Sequence, residues 1–156
     1  MSAMFKLKTG WKNYVLQSFF ATLVIFAILL LLSLRRAVIA ASLGATAFIL
    51  FTLPNDFTAQ PRNVIGGHLI GVISGSLFNL IIHYLPQHSA ALYAMAVGFS
   101  IFFMVITDTE HPPASGTALG IVMFGSSARV VLEVMASVIA LSMAHHFLKN
   151  YIKDLR

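Results

Sequence analysis

Cysteine is absent from the chain. That excludes a disulfide framework, a thiolate metal site and a cysteine nucleophile. Charge is scarce as well. Of 156 residues only ten are Lys or Arg and five are Asp or Glu, a share of 10%, against about 25% in an ordinary soluble domain. A chain this short, folded in water, has a large surface and too few charged side chains to cover it. The composition sets aside a water-soluble globular domain, a disordered chain, a coiled coil and a nucleic-acid-binding module. The net charge is +5, but the basic residues sit at the chain ends and between apolar runs. They form no single patch for nucleic acid, and their placement is that of a membrane protein.

What is present is apolar: 58% of the residues are hydrophobic. A helix needs about 20 residues to cross roughly 30 Å of hydrocarbon, so we looked for stretches free of Asp, Glu, Lys and Arg. Asn13 to Leu34 is the first and Ala37 to Asn55 the second. Asn63 to Thr107 is broken by Pro86 and reads as two helices, near 64–85 and 90–106. His111 to Ala128 is weakened by Pro112, Pro113, Gly116, Gly120 and Gly125. Val130 to Phe147 is the last, interrupted by Glu133. The expected fold is a single all-α domain over 1–156, a polytopic membrane helix bundle. It has about six apolar helical elements, the second and fifth short or broken. Trp11, Tyr14, Tyr84, Tyr93 and Tyr151 lie near run ends, where amphipathic rings prefer the interface. The first run is too long for a signal-peptide core and is followed by Arg35-Arg36, so it reads as a retained span.

With six crossings and a cytoplasmic N-terminus, the inside holds Lys6, Lys8, Lys12, Arg62, Lys149, Lys153 and Arg156. The outside holds Arg35, Arg36 and Arg129. If the second and fifth elements only dip in and return, Arg62 moves outside. The positive-inside rule favours six crossings. Both termini are cytoplasmic either way, and the expected location is a bacterial inner (plasma) membrane.

Ala41-Ser42-Leu43-Gly44-Ala45-Thr46-Ala47 is similar to Ala114-Ser115-Gly116-Thr117-Ala118. Each is followed by an apolar stretch, a polar loop and an Arg that opens a long helix. One reading is a 3+3 internal repeat with halves near 13–85 and 90–148. The other is chance recurrence of small residues. Three crossings per half would make the repeat inverted, as in many secondary transporters. Broken segments at matching places are then the sequence pointer to a binding site.

Two segments concentrate the polar chemistry. One is Ala59-Gln60-Pro61-Arg62-Asn63-Val64-Ile65-Gly66-Gly67-His68, and the other runs from Thr107 through His111-Pro112-Pro113 to Thr117. With Gly44-Ala45-Thr46-Ala47, these motifs resemble the HPP family of small integral membrane proteins, over about Arg35 to Phe147. The resemblance implies four membrane spans, against the six apolar elements counted above. It also implies transport, nitrite being the substrate proposed for some plastid and cyanobacterial members.

The residues carry an argument of their own. Pro112-Pro113 pushes the chain before it out of helix and pre-sets a helix start. The backbone N–H groups of Ala114, Ser115, Gly116 and Thr117 would then lie free at a helix N-terminus, a ready anion site, with His111 at its mouth. Asn63 is an expected N-cap. Arg62 offers a planar fork suited to a bent oxyanion, and His68 lies deeper on the same helix. The substrate-binding candidates are therefore Arg62, Asn63, His68, His111, Ser115, Gly116 and Thr117. The alternatives are a surface-loop histidine orienting the Pro-Pro turn for His111, an interfacial anchor pairing with Asp56 or Asp108 for Arg62, and, equally, a packed histidine bonded to a neighbouring backbone for His68. Asp108, Glu110 and Glu133 are candidates for coupling or gating. The alternatives are solvated loop charges for the first two and an i,i+4 pair with Arg129 for the third. Gly67, Gly71 and Gly75 recur every four residues and mark a helix-packing face, which Asn79 and His83 extend. His145-His146 reads as a headgroup contact.

No HExxH, Ser-His-Asp order, phosphate loop or paired intramembrane carboxylate is present. The chain therefore reads as a non-enzyme with no metal and no cofactor. The expected function is transport of a small solute, foremost a small inorganic anion such as nitrite. Its partners would be the lipid bilayer, that solute and, because a chain this small encloses few side chains, further copies of itself as a homo-oligomer. The rival is a non-transporting structural or assembly subunit of a membrane complex.

Overall fold

The computed structural model describes residues 3–32 and 37–155. Arg35, Arg36 and Arg156, used above to argue orientation, lie outside the described residues. The described residues form six α-helices: α1 (Ala3–Leu32), α2 (Ala37–Thr52), α3 (Pro61–Ile82), α4 (Ser89–Ile106), α5 (Pro113–Phe124) and α6 (Ala128–Leu148). Short 3-10 turns at Phe57–Ala59 and Pro86–His88 precede α3 and α4.

Local chemistry explains the breaks. α3 and α5 each open on a proline, which has no N–H to lose in the first turn. Gln60, not Asn63, is the N-cap of α3. Asn63 is inside the first turn, and its amide donates to Glu110 O at 3.2 Å. α4 ends with Asp108 at φ 51. Thr109 N donates to Met104 O and Asp108 N to Val105 O, the pairing of a Schellman cap with Asp108 in the left-handed position. This cap turns residues 109–112 back toward α3. α5 stops at Gly125, with φ 95. Ser127 caps α6, its hydroxyl accepting from Val130 N at 3.3 Å.

Among the described residues four helices are long and apolar enough to cross a membrane: Trp11–Leu30, Pro61–Ile82, Pro86–Ile106 and Ala128–Leu148. α2 and α5, with 16 and 12 residues, reach about 24 and 18 Å, short of a roughly 30 Å core. The spans match the apolar runs except at the start, where α1 begins ahead of the apolar run at Ala3.

All six helices nonetheless run between the same two ends. At one end Gln17 of α1 donates to Phe51 O and Lys153 O, His145 Nε2 to Pro54 O, and Arg62 to Thr107 O. At the other, Asn79 donates to Val122 O and accepts from Ser126 N, and Gly120 of α5 faces Ile39 of α2. The chain thus alternates direction at every helix, in the order long, short, long, long, short, long.

α3 and α5 are the central pair and make the most extensive helix–helix contact. Gly71 faces the Ala114 carbonyl so closely that a Cβ there would collide with it. A Cβ on Gly75 would stand 2.6 Å from Ala118 O, and one on Gly67 2.8 Å from the His111 Cβ. Small residues at this spacing let two backbones touch. Ile39, Leu43, Leu50, Val64, Val134 and Leu141 form a core that joins α2, α3 and α6. The outward faces of α1 and α4 expose Phe19, Phe26, Leu30, Phe102, Val105 and Ile106, the surface lipid would cover. Trp11, Tyr84 and Tyr151 are exposed near the ends of the candidate spans, where amphipathic rings suit an interface.

Candidate functional site

Polar groups gather where α2, α3 and α5 meet. α2 supplies Ser42 and Thr46 one turn apart. α3 supplies His68, α5 supplies Thr117, and the segment before α5 supplies His111. All five are buried, His68, His111, Thr46 and Thr117 completely. Thr46 Oγ1 lies 2.9 Å from His68 Nε2 and 3.0 Å from His111 Nε2. His68 Nδ1 lies 2.8 Å from Thr117 Oγ1, which is 2.9 Å from Ser42 Oγ. Ser42 donates to Pro113 O at 2.6 Å, and His111 Nδ1 meets Thr58 O at 2.8 Å. The imidazole rings tilt at 49° with centroids 5.2 Å apart.

Proton bookkeeping sets the tautomers. Thr58 O only accepts, so His111 carries its proton on Nδ1 and its Nε2 accepts from the Thr46 hydroxyl. Thr46 Oγ1 also lies 3.0 Å from Ser42 O, but its one proton serves the otherwise orphaned His111 Nε2, so His68 Nε2 donates to it and His68 Nδ1 accepts from Thr117. Both rings are satisfied while neutral. Burial pushes the His111 imidazole down from 6.5 to about 4, the Thr58 carbonyl opposing the shift.

The cluster is closed. His111, expected at the mouth of an anion site, has no exposed surface. The free N–H groups expected at the start of α5 are occupied in part: Ala114 N donates to His111 O and Ser115 N to Pro112 O. Ser115 Oγ also bonds Pro112 O at 2.8 Å, and Gly116 faces Ser42 of α2. What the cluster does in this form is clamp the irregular segments 53–60 and 107–112 against the helices. Non-helical backbone beside a membrane core is tolerated where protein buries and bonds it.

A separate cavity of about 400 Å³ opens at the same end of the bundle, lined by Pro54, Asn55, Asp56, Gln60, Pro61, Arg62, His145, His146 and Lys149. Arg62 is exposed there, with Nη2 on Thr107 O at 2.9 Å, a cation on the carbonyl end of α4. Asp56 Oδ1 accepts from Thr58 N and Thr58 Oγ1. The loops bearing Arg62 and His111 do meet, but the cavity lies between the Arg62 loop and the end of α6.

The structure therefore brings His68, His111 and Thr117 together, and places Asn63 and Arg62 on the 107–110 segment beside them. Asp108 serves as a helix cap, and Glu110 binds Asn63 through its backbone. Glu133 is at the opposite end. Its carboxylate takes Arg129 Nε at 2.8 Å, and its carbonyl takes Ser137 Oγ at 2.6 Å. Sequence reasoning passed over Thr46, Ser42, Thr58 and the cavity role of His145. The first two were visible as the polar pair inside the repeated small-residue motif. Thr58 acts through its carbonyl, which no side-chain pattern reveals. Among the described residues no group of His, Asp and Glu side chains is arranged to hold a metal ion.

Two proteins of Dictyostelium discoideum, each named simply as a transmembrane protein, are similar to the chain. One is 37% identical over 92 residues, 59% of this chain and 32% of its own length. The other is 35% identical over 82 residues, 53% and 26% respectively. The chain thus spans about a third or less of these relatives. No solved structure matches it. The family described as "HPP, transmembrane region" matches residues 7–155, which include the His111-Pro112-Pro113 triplet and every residue of the buried cluster. The chain is an integral membrane protein and belongs to the HPP transmembrane family.

Proposed function

We propose that the protein transports a small solute across its membrane, and that the solute is a small inorganic anion such as nitrite. The observation that carries this reading is the cavity at the end of α6, where Arg62, Lys149 and two histidines face a single carboxylate, Asp56. Arg62 is the anion contact. Its guanidinium already leans on Thr107 O and has further N–H donors to offer. The His68–Thr46–His111 cluster acts behind it as the fixed element around which the helices close. In this reading the end with Arg62, Lys149 and Lys153 is cytoplasmic, the membrane is a bacterial inner membrane, the two halves are inverted repeats, and copies associate as a homo-oligomer.

The test is uptake of nitrite into proteoliposomes holding the purified chain, with nitrate, formate and chloride as comparators. Uptake that falls in Arg62→Ala supports the reading. A well-folded sample that moves none of these anions removes it.

A second reading is favoured by the complete internal satisfaction of His111 and by the Arg129–Glu133 pair. On it the chain is a non-transporting subunit of a membrane complex, and Arg62→Ala lowers association with a co-purifying partner instead of uptake.

A further inference from the structure

His145 lines the cavity at the end of α6 and, among the described residues, holds a buried polar atom without a partner. It is 3% exposed, and its Nε2 lies 3.1 Å from Pro54 O. A carbonyl only accepts, so Nε2 carries the ring proton and Nδ1 presents a bare lone pair. Among the described residues Nδ1 is buried with no hydrogen-bond partner. Leaving a buried acceptor unmade costs free energy, and such an atom calls for an explanation. The same residue lines the cavity with Arg62, Lys149 and His146.

The lone pair limits what can sit beside it. An anion has no proton to give and is repelled by Nδ1 as it stands. Once a proton from the aqueous phase bonds to Nδ1, the ring becomes a cation with a donor on each nitrogen. Nε2 keeps Pro54 O, and Nδ1, which has almost no accessible surface in the empty cavity, tilts toward the anion and donates to it.

We infer that this cavity is a proton-linked anion site, in which His145 Nδ1 takes up one proton as the anion settles between Arg62 and Lys149. The inference rests on the anion reading above and adds the coupling to it. The charged and titratable groups around His145 come from three elements: Asp56 from the loop before α3, Arg62 from α3, and His146 and Lys149 from α6. Asp154 of the tail binds Asn55 on the cavity rim. Arg62 and Lys149 oppose a charge on His145 while the cavity is empty, and a bound anion offsets that opposition. The proton is therefore taken up with the anion and released with it.

The test uses the full chain in lipid nanodiscs and sodium nitrite as the probe, by titration calorimetry in buffers of different ionisation enthalpy between about pH 6 and pH 8, where nitrite stays a monoanion and histidine titrates. The expected result is uptake of close to one proton per nitrite bound, with affinity weakening up to about tenfold per pH unit as pH rises. His145→Gln keeps a donor for Pro54 O but cannot titrate, so its affinity should be lower and flat with pH. Nitrite binding without proton uptake overturns the inference and leaves the anion reading standing. An unchanged pH slope in His145→Gln does the same. Absence of nitrite binding at every pH removes both. The wild-type proton count needs no variant, so it decides the matter even where His145→Gln fails to fold.

Discussion

The hydroxyl of Thr46 stands 2.9 Å from His68 Nε2 and 3.0 Å from His111 Nε2. One oxygen on α2 thereby holds a ring from α3 and a ring from the segment before α5. Thr46→Val keeps the shape and deletes the oxygen. It leaves a buried donor on His68 and a buried acceptor on His111 unmade, each costing about 1–3 kcal/mol. We expect Thr46→Val to lower stability by at least about 2 kcal/mol and Thr46→Ser to restore most of it. Thermal unfolding in nanodiscs measures both. Equal stability of Val and wild type would show that the hydroxyl is not the clamp.

The neutral state of His111 sets a pH dependence. Its folded value is about 4 against an ordinary 6.5, so the unfolded chain binds the proton more readily. Stability should be flat above pH 6.5 and decline as pH falls from there toward 4, with the loss reaching about 3 kcal/mol at its limit. Unfolding midpoints recorded from neutral to mildly acidic pH check the direction. His111→Asn should flatten the curve while starting from a lower value.

The glycine seam separates contact from propensity. Gly71→Ala drives a methyl into the Ala114 carbonyl, while Gly44 and Gly98 have nothing within 4 Å of a Cβ. Gly71→Ala should cost about 1–3 kcal/mol as an overpacked contact. Gly44→Ala and Gly98→Ala should be neutral or stabilising by up to about 1 kcal/mol. Measuring the three variants side by side gives the answer, and equal effects at all three sites would argue against the seam.

Arg62 and Arg129 should differ sharply. Arg129 is 81% exposed and Glu133 20%, so Glu133→Gln should cost less than about 1 kcal/mol. Arg62→Ala should cut nitrite uptake about tenfold or more, the worth of a charge-assisted hydrogen bond. Arg62→Lys should recover only part, because an ammonium keeps the charge and loses the fork.

Much of the fold was legible along the chain. Uninterrupted apolar runs located the long helices, Pro86 marked the break between α3 and α4, and Pro112-Pro113 marked the start of α5, because proline acts on the backbone locally. The place of Asp108 was not legible, for the opposite reason. Its charge is plain in the sequence, but its place is decided by the Schellman cap of α4. Asn63 was similarly expected to cap α3 and instead reaches across to Glu110 O.

By itself the sequence determined that this chain belongs in a bilayer, with six apolar elements and few polar side chains to spend, since burial in lipid depends on composition and run length. It also determined the family motifs. Tertiary structure alone decided that His111 faces inward to Thr46 and Thr58 while Arg62 faces a cavity with the end of α6. Those outcomes depend on which helices touch and at what height, and a hydrogen bond between residues 46, 68 and 111 exists only once α2, α3 and α5 are packed.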